Sequence, residues 1–110
     1  MQLNAASLLG LKGTIAFKKL PFILDSGASS NFISASLVEA LQLKMVQTLP
    51  HKVRLADGKI LKTRGVVQCK VDFDGFEYLG SFHVLDGEVP LILGMDFLTS
   101  AHPHIDFKRK

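Results

Sequence analysis

Ten acidic residues are the chain's main stock of side chains able to take up or give a proton. Asp57, Asp74 and Asp86 each precede a glycine and read as turn formers. Asp72, Glu77 and Glu88 fall at polar positions of strands or loops, Glu39 on the polar face of a helix, and Asp96 beside the start of another. Asp25 differs. It follows Phe22-Ile23-Leu24 and precedes Ser26-Gly27, so its carboxylate belongs at the end of a buried strand entering a tight turn. A carboxylate set against apolar neighbours carries a desolvation cost, so the position calls for a use. The triplet alone is weak, since Asp-Ser/Thr-Gly arises by chance in about one such chain in twenty. Its surroundings must carry the argument.

Other reactive side chains form no convincing set. His102-Pro103-His104 is a closely spaced pair, but neither it nor His51 and His83 has further ligands at finger-like spacing, so no metal is expected. Ser26, Ser29 and Ser30 lack a Gly-x-Ser-x-Gly elbow. Cys69 falls on the apolar face of a strand and reads as an inert core thiol. As the single cysteine it allows no internal disulfide, which suits a reducing, cytoplasmic setting.

The 110 residues suit one domain, and a hydrophobic content of 47% argues against disorder. No apolar run is long enough to cross a membrane as a helix. Met1 to Leu11 has no basic residue ahead of its short apolar stretch and reads poorly as a signal peptide. The net charge of +3 is mild, and the basic residues look dispersed apart from Lys108-Arg109-Lys110, a solvated tail. With no Trp and one Tyr, a base-stacking surface for nucleic acid is not expected.

The elements that must position Asp25 are mostly strands. Thr14 to Leu24 is strand-like, with a hairpin expected near Lys18-Lys19 and Pro21 at an edge or strand start. Ser34 to Leu43 predicts a short helix capped by Ser34, with Leu37, Val38 and Leu41 on one face. Residues 53–61 predict a hairpin turning at Asp57-Gly58. Val67, Cys69, Val71 and Phe73 alternate with polar residues, Asp74-Gly75 turns the chain, and Phe76, Tyr78, Phe82 and Val84 line the return strand. Residues 86–90 predict a loop. Leu91-Ile92-Leu93 reads as a strand buried on both sides, ended by Gly94. Met95 to Ala101 predicts a helix stopped before Pro103, and Ile105-Asp106-Phe107 a last strand.

Four stretches together resemble the retropepsin family, the dimeric aspartic proteases of retroviruses and LTR retrotransposons. Phe22-Ile23-Leu24-Asp25-Ser26-Gly27-Ala28 is similar to the family's apolar-apolar-Asp-Thr/Ser-Gly-Ala signature. Ser29-Ser30-Asn31-Phe32-Ile33-Ser34 resembles its continuation in Ty3/gypsy-type proteases. Leu55-Ala56-Asp57-Gly58 sits where the family has its flap, though with a single glycine. Leu91 to Leu98 resembles the apolar-apolar-Gly strand and terminal helix. The likeness spans about residues 12–107. The Asp-Ser-Gly-Ala form is shared with a cellular relative, the DNA-damage-inducible proteins with a retropepsin-like domain.

The resemblance implies an all-β fold, a small closed β-barrel-like acid-protease domain over residues 1–110, with one or two short helices and a flap at about 53–62. It implies an aspartic endopeptidase processing a polyprotein of retrotransposon or retroviral type, in the cytoplasm or within virus-like particles. It makes Asp25 catalytic. Ser26 and Gly27 would support the active-site loop and dimer. Gly27, Ala28, Ser29, Ala56, Asp57 and Gly58 would contact substrate. Ile60, Leu91 and Ile92 are candidates for subsite walls. One carboxylate is half of what the reaction needs, and the chain has one such motif, so the resemblance implies a homodimer with an Asp25 from each subunit. The termini would pair across it. The implied partners are a second copy and an extended peptide, with no cofactor, metal, membrane or nucleic acid. The alternative is an inactive module of the same fold that binds peptides or dimerises.

Overall fold

The computed structural model describes residues 9–55 and 57–101. The expected last strand, the paired termini, His102, His104 and the basic tail lie outside the described residues. In chain order the elements are β1 (Leu9–Ile15), β2 (Lys18–Leu24), β3 (Asn31–Ser34), α1 (Ala35–Ala40), β4 (Met45–Gln47), β5 (Lys52–Arg54), β6 (Ile60–Phe73), β7 (Phe76–Leu85), β8 (Leu91–Leu93) and α2 (Met95–Ala101). Six strands close into a barrel in the order β1-β2-β8-β3-β7-β6, and β6 returns to β1 through Thr14↔Asp72 and Ile15↔Val71. The expected all-β fold with two short helices is therefore present.

The first hairpin turns two residues earlier than expected. Ala16 and Phe17 form the turn, both in the left-handed region (φ 50° and 68°), and Lys18 and Lys19 already belong to β2. Neither residue is a turn former, so the register is set by tertiary contacts. It places Leu11 opposite Phe22 and lays Gly13 against Phe73 and Val71, where any Cβ would collide. Pro21 lies just before Phe22–Leu24, the stretch that pairs in parallel with β8, so that ladder loses no N–H.

The first helix is shorter than expected. The Ser34 hydroxyl accepts from the Leu37 N–H, as a cap does. The chain then turns out of the helix after Leu41. Gln42 adopts a left-handed φ of 56°, with N–H bonds from Gln42 to Glu39 and from Leu43 to Val38. These two bonds define a Schellman stop, which needs no glycine here. Its buried residue is Val38, flanked by half-buried Leu37 and Leu41.

β6 and β7 are the framework. The expected alternation at 67–73 is one end of a single 14-residue strand that begins in the flap at Ile60. Cys69, Val71 and Phe73 point inward and face Tyr78, Phe82 and Val84 from β7. The register slips once, between Thr63 and Gly65. Gly65 lies there against the Val46 carbonyl of β4, with no room for a Cβ. Phe97 of α2 plugs the barrel, its ring centroid 4.9 Å from Tyr78 and 5.0 Å from Phe73. Phe73 in turn meets Phe22 edge-on at 5.3 Å. Burial pushes the Cys69 thiol up to about 11.

Candidate active site

Asp25 leaves the buried end of β2, and three backbone bonds fix the loop it opens. Its N–H donates to the Leu93 carbonyl at 2.9 Å, one step beyond the β2–β8 ladder. The Ala28 N–H donates to the Asp25 carbonyl at 3.0 Å, closing the turn. The Met95 N–H donates to the Ala28 carbonyl at 2.8 Å, tying the loop to the start of α2. The Asp25 side chain is held as well: the Gly27 N–H donates to Oδ1 at 2.8 Å. The residue is only 8% exposed. A loop of small residues thus presents one carboxylate oriented by its own turn.

Two residues behind the loop set its position. Gly94 passes so close that a Cβ would lie within 2.5 Å of the Ala28 carbonyl oxygen and nearer still to that of Ser30. Asn31 is fully buried and bonded on both sides of its amide. Oδ1 accepts from the Gly94 N–H at 2.9 Å, while Nδ2 donates to the Tyr78 hydroxyl at 2.8 Å and the Ser81 carbonyl at 3.2 Å. It links the loop, the end of β8 and β7. The sequence placed Asn31 in a motif and gave it no role; its one signal is a polar residue opening the otherwise apolar run Phe32-Ile33.

The carboxylate stands in a cleft of about 400 Å³. Gly27, Ala28, Ser29 and Asp57 line it with Asp25, so five of the predicted site residues share one space. Ser26 is exposed and does not line the cleft, and Gly58 stands at the flap tip with a φ of 90°. Ala56 lies outside the described residues. Of the apolar candidates Ile92 lines the cleft, whereas Leu91 is core and Ile60 is 49% exposed outside it. Ile23, Phe32, Val53, Leu55, Val89 and Pro90 complete the apolar wall, and sequence reasoning assigned none of them to it. Neither was Arg54, the one basic residue of the lining.

The flap is the hairpin of β5 and the start of β6, paired through Lys52↔Lys62, Val53↔Leu61 and Arg54↔Ile60. The Gly58 N–H donates to the Leu55 carbonyl at 2.9 Å, and Asp57 Oδ1 accepts from the Lys59 N–H at 2.9 Å. Asp57 thus forms the tight turn expected of it and lines the same cleft as Asp25. Such a site can hold an extended chain between a carboxylate floor and a strand roof, with apolar side chains seated in the wall.

Solved structures share this architecture. An EIAV protease complexed with the inhibitor HBY-793 matches with a TM-score of 0.71 at 17% identity, over 97% of this chain and 100% of that one. The retroviral protease-like domain of Ddi1 from Leishmania major matches with a TM-score of 0.67 at 20% identity, over 87% and 78%. A retropepsin-like aspartic protease from Rickettsia conorii matches with a TM-score of 0.63 at 21% identity, over 97% and 87%. No curated protein matches the sequence. The aspartyl protease family model matches residues 11–97, from β1 into α2, and with the shared fold this makes the chain a member of the retropepsin-like aspartyl protease family.

Proposed function

We propose that the protein is an aspartic endopeptidase that works as a homodimer, each subunit supplying its Asp25, and that it cuts extended segments of a polyprotein. The observation that carries the reading is the placement of Asp25, a buried carboxylate held by its own turn on the floor of an apolar cleft beneath the flap. The dimer reading is supported by Ser26, which is exposed beside the carboxylate and whose hydroxyl has no hydrogen-bond partner among the described residues.

In the dimer two carboxylates share one proton. The ionised one takes a proton from a water held between them, and the protonated one gives its proton to the carbonyl oxygen as the water attacks. The tetrahedral adduct collapses when a proton reaches the leaving nitrogen. Gly27, Ala28, Ser29 and Asp57 are assigned to the substrate backbone, and Ile92, Phe32 and Val53 to its side chains.

The test is cleavage of denatured casein and a peptide library between about pH 4 and pH 7, for wild type and Asp25→Asn, with sedimentation to establish the dimer. Cleavage by wild type that is lost in the variant, while the variant still folds and dimerises, is expected. A rate that rises steadily from about pH 5 to pH 9 contradicts a shared-proton pair. A folded wild-type dimer that cuts nothing refutes the reading.

A further inference from the structure

We infer that the protein selects acidic peptides, and that Arg54 reads the acidic side chain. The inference rests on the protease reading for its site and extends it to the class of substrate.

The basic residues look dispersed along the chain, but their excess over acids is concentrated in one hairpin. Between residues 52 and 62 the flap carries Lys52, Arg54, Lys59 and Lys62 against one acid, Asp57. The rest of the chain holds nine basic and nine acidic residues, so the whole net charge of +3 resides on this hairpin. All five charged residues of the flap are exposed. Lys52 and Lys62 face each other directly across the ladder, an arrangement of like charges that weakens a sheet pair. The fold leaves that repulsion uncompensated: among the described residues the one ion pair is Lys70–Glu77, on the far side of β6 and β7. An anionic partner relieves it.

Arg54 is placed to choose that partner. It is the last paired residue of β5, it lines the cleft that holds Asp25, and it has no ion pair among the described residues. Asp57 shares the cleft, but its Oδ1 is taken by the Lys59 N–H. A planar guanidinium over an otherwise apolar wall favours a carboxylate it can grip with two bonds. The surrounding lysines add steering that salt will screen. A peptide is favoured over nucleic acid because the cation borders an apolar cleft with a carboxylate at its floor, which suits side chains and repels phosphates.

The experiment uses the full-length protein and peptide pairs that are cut or bound at one apolar site and differ only in Glu against Gln beside it. The ratio of kcat/KM for Glu over Gln is read at about pH 6, where the Glu is ionised. The same ratio of affinities is read with Asp25→Asn by fluorescence anisotropy. Wild type is expected to favour Glu about fivefold at low salt, through KM, and the preference shrinks at about 0.5 M salt. Arg54→Gln brings the ratio to about one, Arg54→Glu inverts it, and Arg54→Lys keeps part of it. No Glu preference in wild type, or one that Arg54→Gln leaves intact, overturns the inference while cleavage itself stands. A Glu preference in binding without cleavage of any peptide upholds the inference and sinks the protease reading. A short oligothymidylate that binds more tightly than the Glu peptide, and displaces it, assigns the basic flap to nucleic acid and overturns the inference. Should Arg54→Gln fail to fold, replacing Glu by Lys in the peptide makes the same test on wild type.

Discussion

Replacing Asn31 by alanine removes one side chain and separates three pieces of the fold. The amide accepts from Gly94, donates to Tyr78 and Ser81, and is wholly buried. The Gly94 N–H has no room to find water, since its residue is packed against the Ala28 and Ser30 carbonyls. Leaving it and the Tyr78 hydroxyl without partners costs about 1–3 kcal/mol for each group that stays unsatisfied, and the vacated volume adds to this. The sum is about 3–5 kcal/mol, a large share of the stability of a domain this size. Unfolding in urea at one fixed protein concentration, so that any self-association does not confound the comparison, measures it. Tyr78→Phe removes a single bond and should cost only about 1 kcal/mol. Because the two side chains share that bond, the double variant should fall short of the sum by about 1 kcal/mol. An Asn31→Ala protein within about 1 kcal/mol of wild type would refute the reasoning, since the amide would then not be holding the loop.

Burial and the nearby His51 hold the His83 imidazole below its ordinary range, so the folded protein favours the neutral ring. Its Nδ1 is buried without a hydrogen-bond partner among the described residues. The folded pKa is below the unfolded one, so this contribution is complete above about pH 6.5 and is lost as pH falls through the folded value. Thermal melts from about pH 7.5 to pH 5 should show a loss that His83→Leu lacks, and parallel profiles refute the link. Gly94→Ala should destabilise the protein by more than about 2 kcal/mol in the same urea assay, because both obstructing atoms are backbone carbonyls. Ala16→Asn with Phe17→Gly should stabilise it by about 1–2 kcal/mol, because both positions are left-handed and Phe17 is fully exposed; an unchanged midpoint contradicts the turn geometry.

Much of the barrel was legible because it depends on local chemistry. Asp57-Gly58 and Asp74-Gly75 announce their turns, and the period-two face of Cys69, Val71 and Phe73 is the core face. What was hidden depends on distant partners. Ala16-Phe17 turns without a turn residue because β1 must lie on β6. β3 is four buried residues with no alternation to reveal it, and β4 is three residues held only by β6. At the site, Asp25 could be picked out from its apolar approach and small followers. Asn31 and Arg54 could not, because a buried amide and a cleft-facing cation look like any polar residue until the strands around them are paired.

The slip at Thr63 and Gly65 gives the flap a mechanical root. One strand serves as both roof and wall, so the roof is a cantilever clamped by β7 on one side and β4 on the other. The clamp begins where Thr63 takes the backbone of His51 on both its N–H and its hydroxyl. Beyond it the arm is held by the three pairs to β5, by the Asp86 N–H on the Lys62 carbonyl and by the Leu55 N–H on the Lys59 carbonyl. The root of the arm is therefore set by Thr63, Gly65 and Val66, which do not line the cleft, and a change in the wall there is felt as slack or tension over it.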